Sequence, residues 1–170
     1  MTDLSCLSIE YCKRFYVSVL PSSLNLNVFL FEKYMIAFLN KESDSLETYV
    51  ECVNETDFSL NIKDIGTIKR NHIRINISQS EFEVMYAVSK PKVIHYTQYA
   101  LNDSKNNLIS LIKYDNINEN IMVVEYHSDM ISTQSYVPDP WFKNDVTNDY
   151  RYNPIFLSIN KKIIGEKIIK

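Results

Sequence analysis

Three histidines (His72, His95, His127) and three cysteines (Cys6, Cys12, Cys52) are the side chains here with the most direct chemistry. An imidazole can ligate a metal or move a proton near neutral pH. The histidines fall on separate predicted strands, so they form a metal centre only if those strands bring them face to face. Satisfied or solvent-facing imidazoles are the ordinary case. Cys12 as a nucleophile would need a histidine neighbour and a depressed pKa; a buried free thiol is the simpler reading. The cysteines are odd in number, lack C-x-x-C pairing and suit a reducing compartment. A Gly-rich phosphate loop is excluded, because the chain has only 2 glycines. The 12 tyrosines and 8 phenylalanines could stack on bases only beside a basic groove, and none is readable. Core packing and cross-strand pairs account for them.

The elements that must position these residues read mostly as strands. Period-2 alternation of β-branched and aromatic residues predicts eight, over residues 8–19, 34–39, 46–53, 58–63, 72–77, 93–101, 108–114 and 121–127. The links are short, polar and rich in Asn, which tolerates the left-handed conformation and takes the place of glycine in turns. Hairpin-length links between eight short strands imply an antiparallel sheet closed into a barrel. Ser78-Gln79-Ser80-Glu81 is a capping box. The helix it opens carries Phe82, Met85, Tyr86 and Ser89 on one face and stops at Pro91. A weaker helical segment spans residues 23–33. Residues 161–170 set Ile163, Ile164, Ile168 and Ile169 among lysines, and read as a terminal element packed on the barrel rather than a membrane-binding helix. The fold class is α+β: an eight-stranded antiparallel closed β-barrel with a few packing helices, one domain over residues 1–170.

Composition narrows the partners. A net charge of −3 and a pI near 5.6 build in no attraction to nucleic acid or an anionic membrane. No apolar run reaches the roughly 18–20 residues of a membrane helix. The N-terminus has no basic region and apolar block of a secretory signal. A cytoplasmic protein with neither nucleic-acid nor membrane partners is expected.

The run Pro140-Trp141-Phe142-Lys143-Asn144-Asp145-Val146-Thr147-Asn148-Asp149-Tyr150-Arg151-Tyr152, followed by Leu157, carries the most specific pattern. It resembles the C-terminal signature of CYTH domains, the triphosphate tunnel metalloenzymes, which reads roughly P-x-W-x-G-x-E-V-T-x-D-x-R-Y-x-N-x-x-L. Asp145 replaces Glu, Lys143 replaces Gly, and Pro154 stands where Asn is expected. The resemblance implies a tunnel whose inward carboxylates hold a divalent metal and whose Arg and Lys side chains grip a triphosphate. The family's E-x-E-x-K strand is matched by Glu10, Cys12 and Arg14, with a thiol in place of the second carboxylate. Its R-x-R pair is missing: no Lys or Arg lies between Lys41 and Lys63, and Glu51 there would repel a triphosphate. Lys63, Gly66 and Arg70 fit the next segment, but His72 and Arg74 replace the carboxylates that should follow. Tyr96 and Gln98 replace two basic residues, Ile112 an Asp, and His127 the partner of Glu125.

By this resemblance Lys63, Arg70 and Arg14 are the residual phosphate contacts, Glu10 and Glu125 the residual metal ligands, and no catalytic residue is assigned. The lumen is expected to lack the acidic groups that seat a divalent cation. The expected function is therefore a catalytically degenerate CYTH-like domain, a binding or regulatory module for a small phosphorylated ligand or a protein, without cofactor. The alternative is an active triphosphatase or nucleotidyl cyclase using Mg²⁺ or Mn²⁺. A third possibility is a subunit of an oligomer or larger assembly in which only the fold matters.

Overall fold

A computed structural model describes residues 6–40, 46–65, 68–89, 92–117 and 122–162. Gly66, Pro91, Ile121 and the isoleucine-bearing residues 163–170 lie outside the described residues. The eight expected strands are present: β1 (Cys6–Val17), β2 (Phe31–Phe38), β3 (Leu46–Val53), β4 (Asp57–Asp64), β5 (Lys69–Asn76), β6 (Val93–Asn102), β7 (Leu108–Tyr114) and β8 (Met122–Ser128). They close into an antiparallel barrel in the order β1-β5-β4-β3-β2-β6-β7-β8. Closure rests on the length of β1. Its first half pairs with β5, from Cys6 opposite Arg74 to Tyr11 opposite Lys69, and its second half pairs with β8, from Tyr11 to Val17. Among the described residues every strand has a hydrogen-bonded neighbour on each side, as closure requires. Asn serves the turns as expected, at Asn54 (φ 50°) and Asn106 (φ 65°), and Glu55 (φ 64°) joins Asn54 in the β3–β4 hairpin.

The capping box forms as the residue types dictate. Glu81 accepts from the Ser78 amide at 2.7 Å, the Ser78 hydroxyl accepts from the Glu81 amide at 3.3 Å, and α1 (Gln79–Ser89) follows. Phe82 docks on Ala37, Val50, Cys52 and Val93, outside the barrel. The helix expected over residues 23–33 is corrected. Only a 3-10 turn forms at Leu26–Val28, where Asn25 accepts from the Asn27 amide, and Phe31 then enters β2 beside the Tyr99 ring. Two short helices were not anticipated. Asp129 caps α2 (Met130–Ser135) through the Ile131 and Ser132 amides, and α3 (Pro154–Asn160) starts on a proline and stops at Lys161, whose φ is 56°. Among the described residues no helix is long and apolar enough to cross a membrane.

The signature run returns along β1 and stops one end of the barrel. Lys143 donates to the Tyr16 carbonyl and Val146 to the Arg14 carbonyl, each at 2.9 Å. Tyr152, Ile155 and Leu157 then pack beneath Phe38, Tyr49, Tyr96 and Tyr114 as one apolar cluster. A second cluster, around Phe15, Leu111, Tyr126, Tyr136 and Phe142, lies outside the barrel wall. Leu157 is 0% exposed. Leu157→Ala is expected to cost about 2–5 kcal/mol, measured by urea unfolding. A loss below about 1 kcal/mol would show that the plug is not integral to the fold.

Candidate functional site

Strand alternation decides which side chains meet inside. β1 contributes Glu10, Cys12 and Arg14; β3 contributes Glu47, Tyr49 and Glu51; β4 contributes Asn61 and Lys63. Opposite them, β5 presents Arg70, His72 and Arg74, and β8 presents Glu125 and His127. A cavity of about 80 Å³ is lined by Arg14, Glu47, Lys63, Arg70 and Glu125, together with Tyr49, Tyr96, Tyr114, Gln98 and Ile112, and Pro154 of the plug.

Most charges there are paired. Arg14 is 5% exposed; its Nε donates to Glu125 Oε1 at 2.8 Å, its Nη2 reaches the same oxygen, and its Nη1 donates to the Tyr152 carbonyl at 3.3 Å. Burial alone would push Glu125 up, but Arg14, then His127, hold it well below the usual carboxylate range. Arg14 is likewise held up against burial by Glu125. Glu10 meets Lys63 Nζ at 2.5 Å and His72 Nδ1 at 2.7 Å, while His72 Nε2 lies 2.9 Å from Asn61 Oδ1. These partners outweigh burial and lower Glu10 to about 2. Glu51 lies 3.6 Å from Arg74, and burial pushes its pKa up all the same. His127 Nε2 stands 3.0 Å from Glu125 Oε2; burial opposes the charged ring, but Cys12 and Glu125 raise it to about 10.

Two buried groups are left over. Arg70 is 7% exposed, and its Nε has no hydrogen-bond partner. Glu47 is 5% exposed and forms no hydrogen bond or ion pair among the described residues. Burial pushes its pKa up, against the attraction of Arg70, Arg14 and Lys63.

The structure thus brings Arg14, Lys63, Arg70 and Glu125 to one cavity, with Glu10 beside it on Lys63. It corrects the expectation of a lumen short of acid. Four glutamates face inward, Glu10 on β1, Glu47 and Glu51 on β3 and Glu125 on β8, of which the sequence pattern marks Glu51 only as a repelling charge and does not single out Glu47. They nevertheless do not gather. Among the described residues the one group of three donor side chains that converges is Cys12, Glu125 and His127. Mg²⁺ prefers several oxygens in near-octahedral order. Glu10, Glu51 and Glu125 are each held by a cation, and Glu47 shares its cavity with Arg14, Lys63 and Arg70, so these residues do not fit an oxygen-ligated ion. The three histidines do not meet either. His95 lies outside the lumen set, in a pocket with Lys33, Met35 and Cys52.

No protein-family model matches the chain. An inorganic triphosphatase from Nitrosomonas europaea is 24% identical over 124 residues, 72% of this chain and 82% of that protein. A crystal structure of an inorganic triphosphatase superposes with a TM-score of 0.64 at 21% identity, over 88% of this chain and 94% of the other. The chain resembles the triphosphate tunnel family, and its closed eight-stranded barrel is the fold of that family.

The Glu10 cluster has a pH signature. Its folded pKa of about 2 lies below the ordinary value of 4.5. Its contribution to stability is therefore full above pH 4.5 and lost as pH falls towards 2. Chemical denaturation at a series of pH values should show wild type losing stability across that window more steeply than Glu10→Gln. Parallel curves would contradict the assignment.

Proposed function

We propose that this chain binds a short phosphoanion inside the barrel through Arg70, Lys63 and Arg14, as a binding or regulatory module. The observation that carries the reading is Arg70. A guanidinium this buried, with Nε unpartnered, costs several kcal/mol of lost hydration unless an anion repays it. It points into a cavity already lined by Lys63 and Arg14. Each charge-assisted contact to phosphate oxygen contributes about 1.5–3 kcal/mol. Burial pushes the pKa of Glu47 up, towards the form that does not repel an anion.

A second reading, hydrolysis of a triphosphate, is favoured by the Nitrosomonas europaea relative, which is named an inorganic triphosphatase. Calorimetric titration with tripolyphosphate in EDTA tests the first reading. Wild type should bind, and Arg70→Ala should weaken binding at least about tenfold. No binding by wild type would overturn the proposal and leave the assembly role. Phosphate release from tripolyphosphate, thiamine triphosphate or ATP with Mn²⁺ should not exceed that of a Lys63→Ala, Glu125→Ala double variant. Release that depends on both residues would establish the hydrolytic reading.

A further inference from the structure

Cys12 and His127 face each other directly across the β1–β8 pairing that closes the barrel, and Glu125 stands two residues away on the same face of β8. The Cys12 sulfur, a ring nitrogen of His127 and an oxygen of Glu125 all lie within 4.8 Å of one another. Sulfur, nitrogen and oxygen donors in one place suit a different ion from the oxygen-ligated one that the lumen does not fit. Thiolate and imidazole select borderline-soft metals, and three protein ligands with one open position is a common Zn²⁺ arrangement.

The surroundings are those of a built site. Arg14 holds Glu125 by Oε1 alone, through Nε and Nη2, which leaves Oε2 turned to His127 at 3.0 Å. Metal-binding carboxylates are oriented by outer partners of this kind. Cys12 is 2% exposed, and its sulfur makes only a long 3.5 Å contact to the Lys13 carbonyl besides its approach to His127. The His127 side chain is 43% exposed, so an ion has a way in.

We propose that Cys12, His127 and Glu125 form a site for a borderline-soft divalent cation, Zn²⁺ by preference, with its fourth position open towards the barrel mouth. Small side-chain rotations bring the donors to the usual distances of about 2.0–2.3 Å. Thiolate and neutral imidazole are the ligating forms, so binding of the ion should strengthen as pH rises. The inference does not rest on phosphoanion binding, although Arg14, one of the three anion contacts proposed above, also orients Glu125.

Cobalt provides the test. Protein dialysed against EDTA is titrated with Co²⁺ and followed by absorption. A thiolate-to-cobalt band in the near ultraviolet and strong visible bands of a low-coordinate ion should appear at one equivalent. Zn²⁺ should abolish them, and excess Mg²⁺ should not. Cys12→Ser should remove the thiolate band, and His127→Ala should weaken binding at least about 100-fold, since outer partners alone cost 10–100-fold. His95→Ala should bind as wild type does. Thermal unfolding of the metal-free variants by circular dichroism checks that the barrel is intact, and His127, at the exposed side, keeps the test valid if Cys12→Ser unfolds. Absence of the bands in wild type, or their survival in Cys12→Ser or His127→Ala, would overturn the proposal. Tripolyphosphate titration in EDTA reads the anion site separately, so each failure is distinguishable.

Discussion

Arg14 is a charge set where water cannot reach it, and the molecule is arranged around making that tolerable. Stripping a guanidinium of solvent costs several kcal/mol unless every donor is met. Glu125 on β8 takes Nε and Nη2, and the Tyr152 carbonyl takes Nη1. The Arg14 amide donates to the Thr147 hydroxyl at 3.0 Å, and its carbonyl accepts from Val146. The same residue therefore joins the strand that closes the barrel, the segment that stops its end and the wall of the cavity. None of the three can shift without exposing an unpaired charge.

This explains why the pattern easiest to read is not the one that does chemistry. In the signature run, Trp141 donates to Asp139, Phe142 packs on Phe15, Asp149 grips Arg151, and Tyr152 packs against Tyr16. These contacts fix the fold and would survive a change of ligand. The lumen is freer to vary, and β3 and β5 show how. Where the tunnel resemblance leads one to expect an R-x-R pair on β3, no base stands and Glu51 faces inward. Where it leads one to expect carboxylates on β5, His72 and Arg74 stand. Glu51 and Arg74, on walls two strands apart, lie 3.6 Å from each other.

Strands were legible from short runs rich in β-branched and aromatic residues between polar turns, and β3 and β7 match their predicted bounds. The start of β2 was not, because Phe31, Glu32 and Lys33 follow a run whose apolar spacing suits a helix as well. Helix α3 escaped because Ile155, Phe156 and Leu157 are all buried, leaving no polar face to mark a period. In the site, the alternation Glu47, Tyr49, Glu51 was there to be followed inward. What sequence could not give was the partner across the barrel. Cys12 and His127 are 115 positions apart and meet only because the first and last strands pair.

Tyr152, Ile155 and Leu157, with Pro154 as floor, make the interior a cup rather than a pipe. Any guest must then depart by the route it came, so occupancy and release share a single gate. A long linear polymer could offer only its tip to the bottom of such a vessel and could never be threaded through it. Length discrimination would then follow from architecture alone, before any side chain had made a choice.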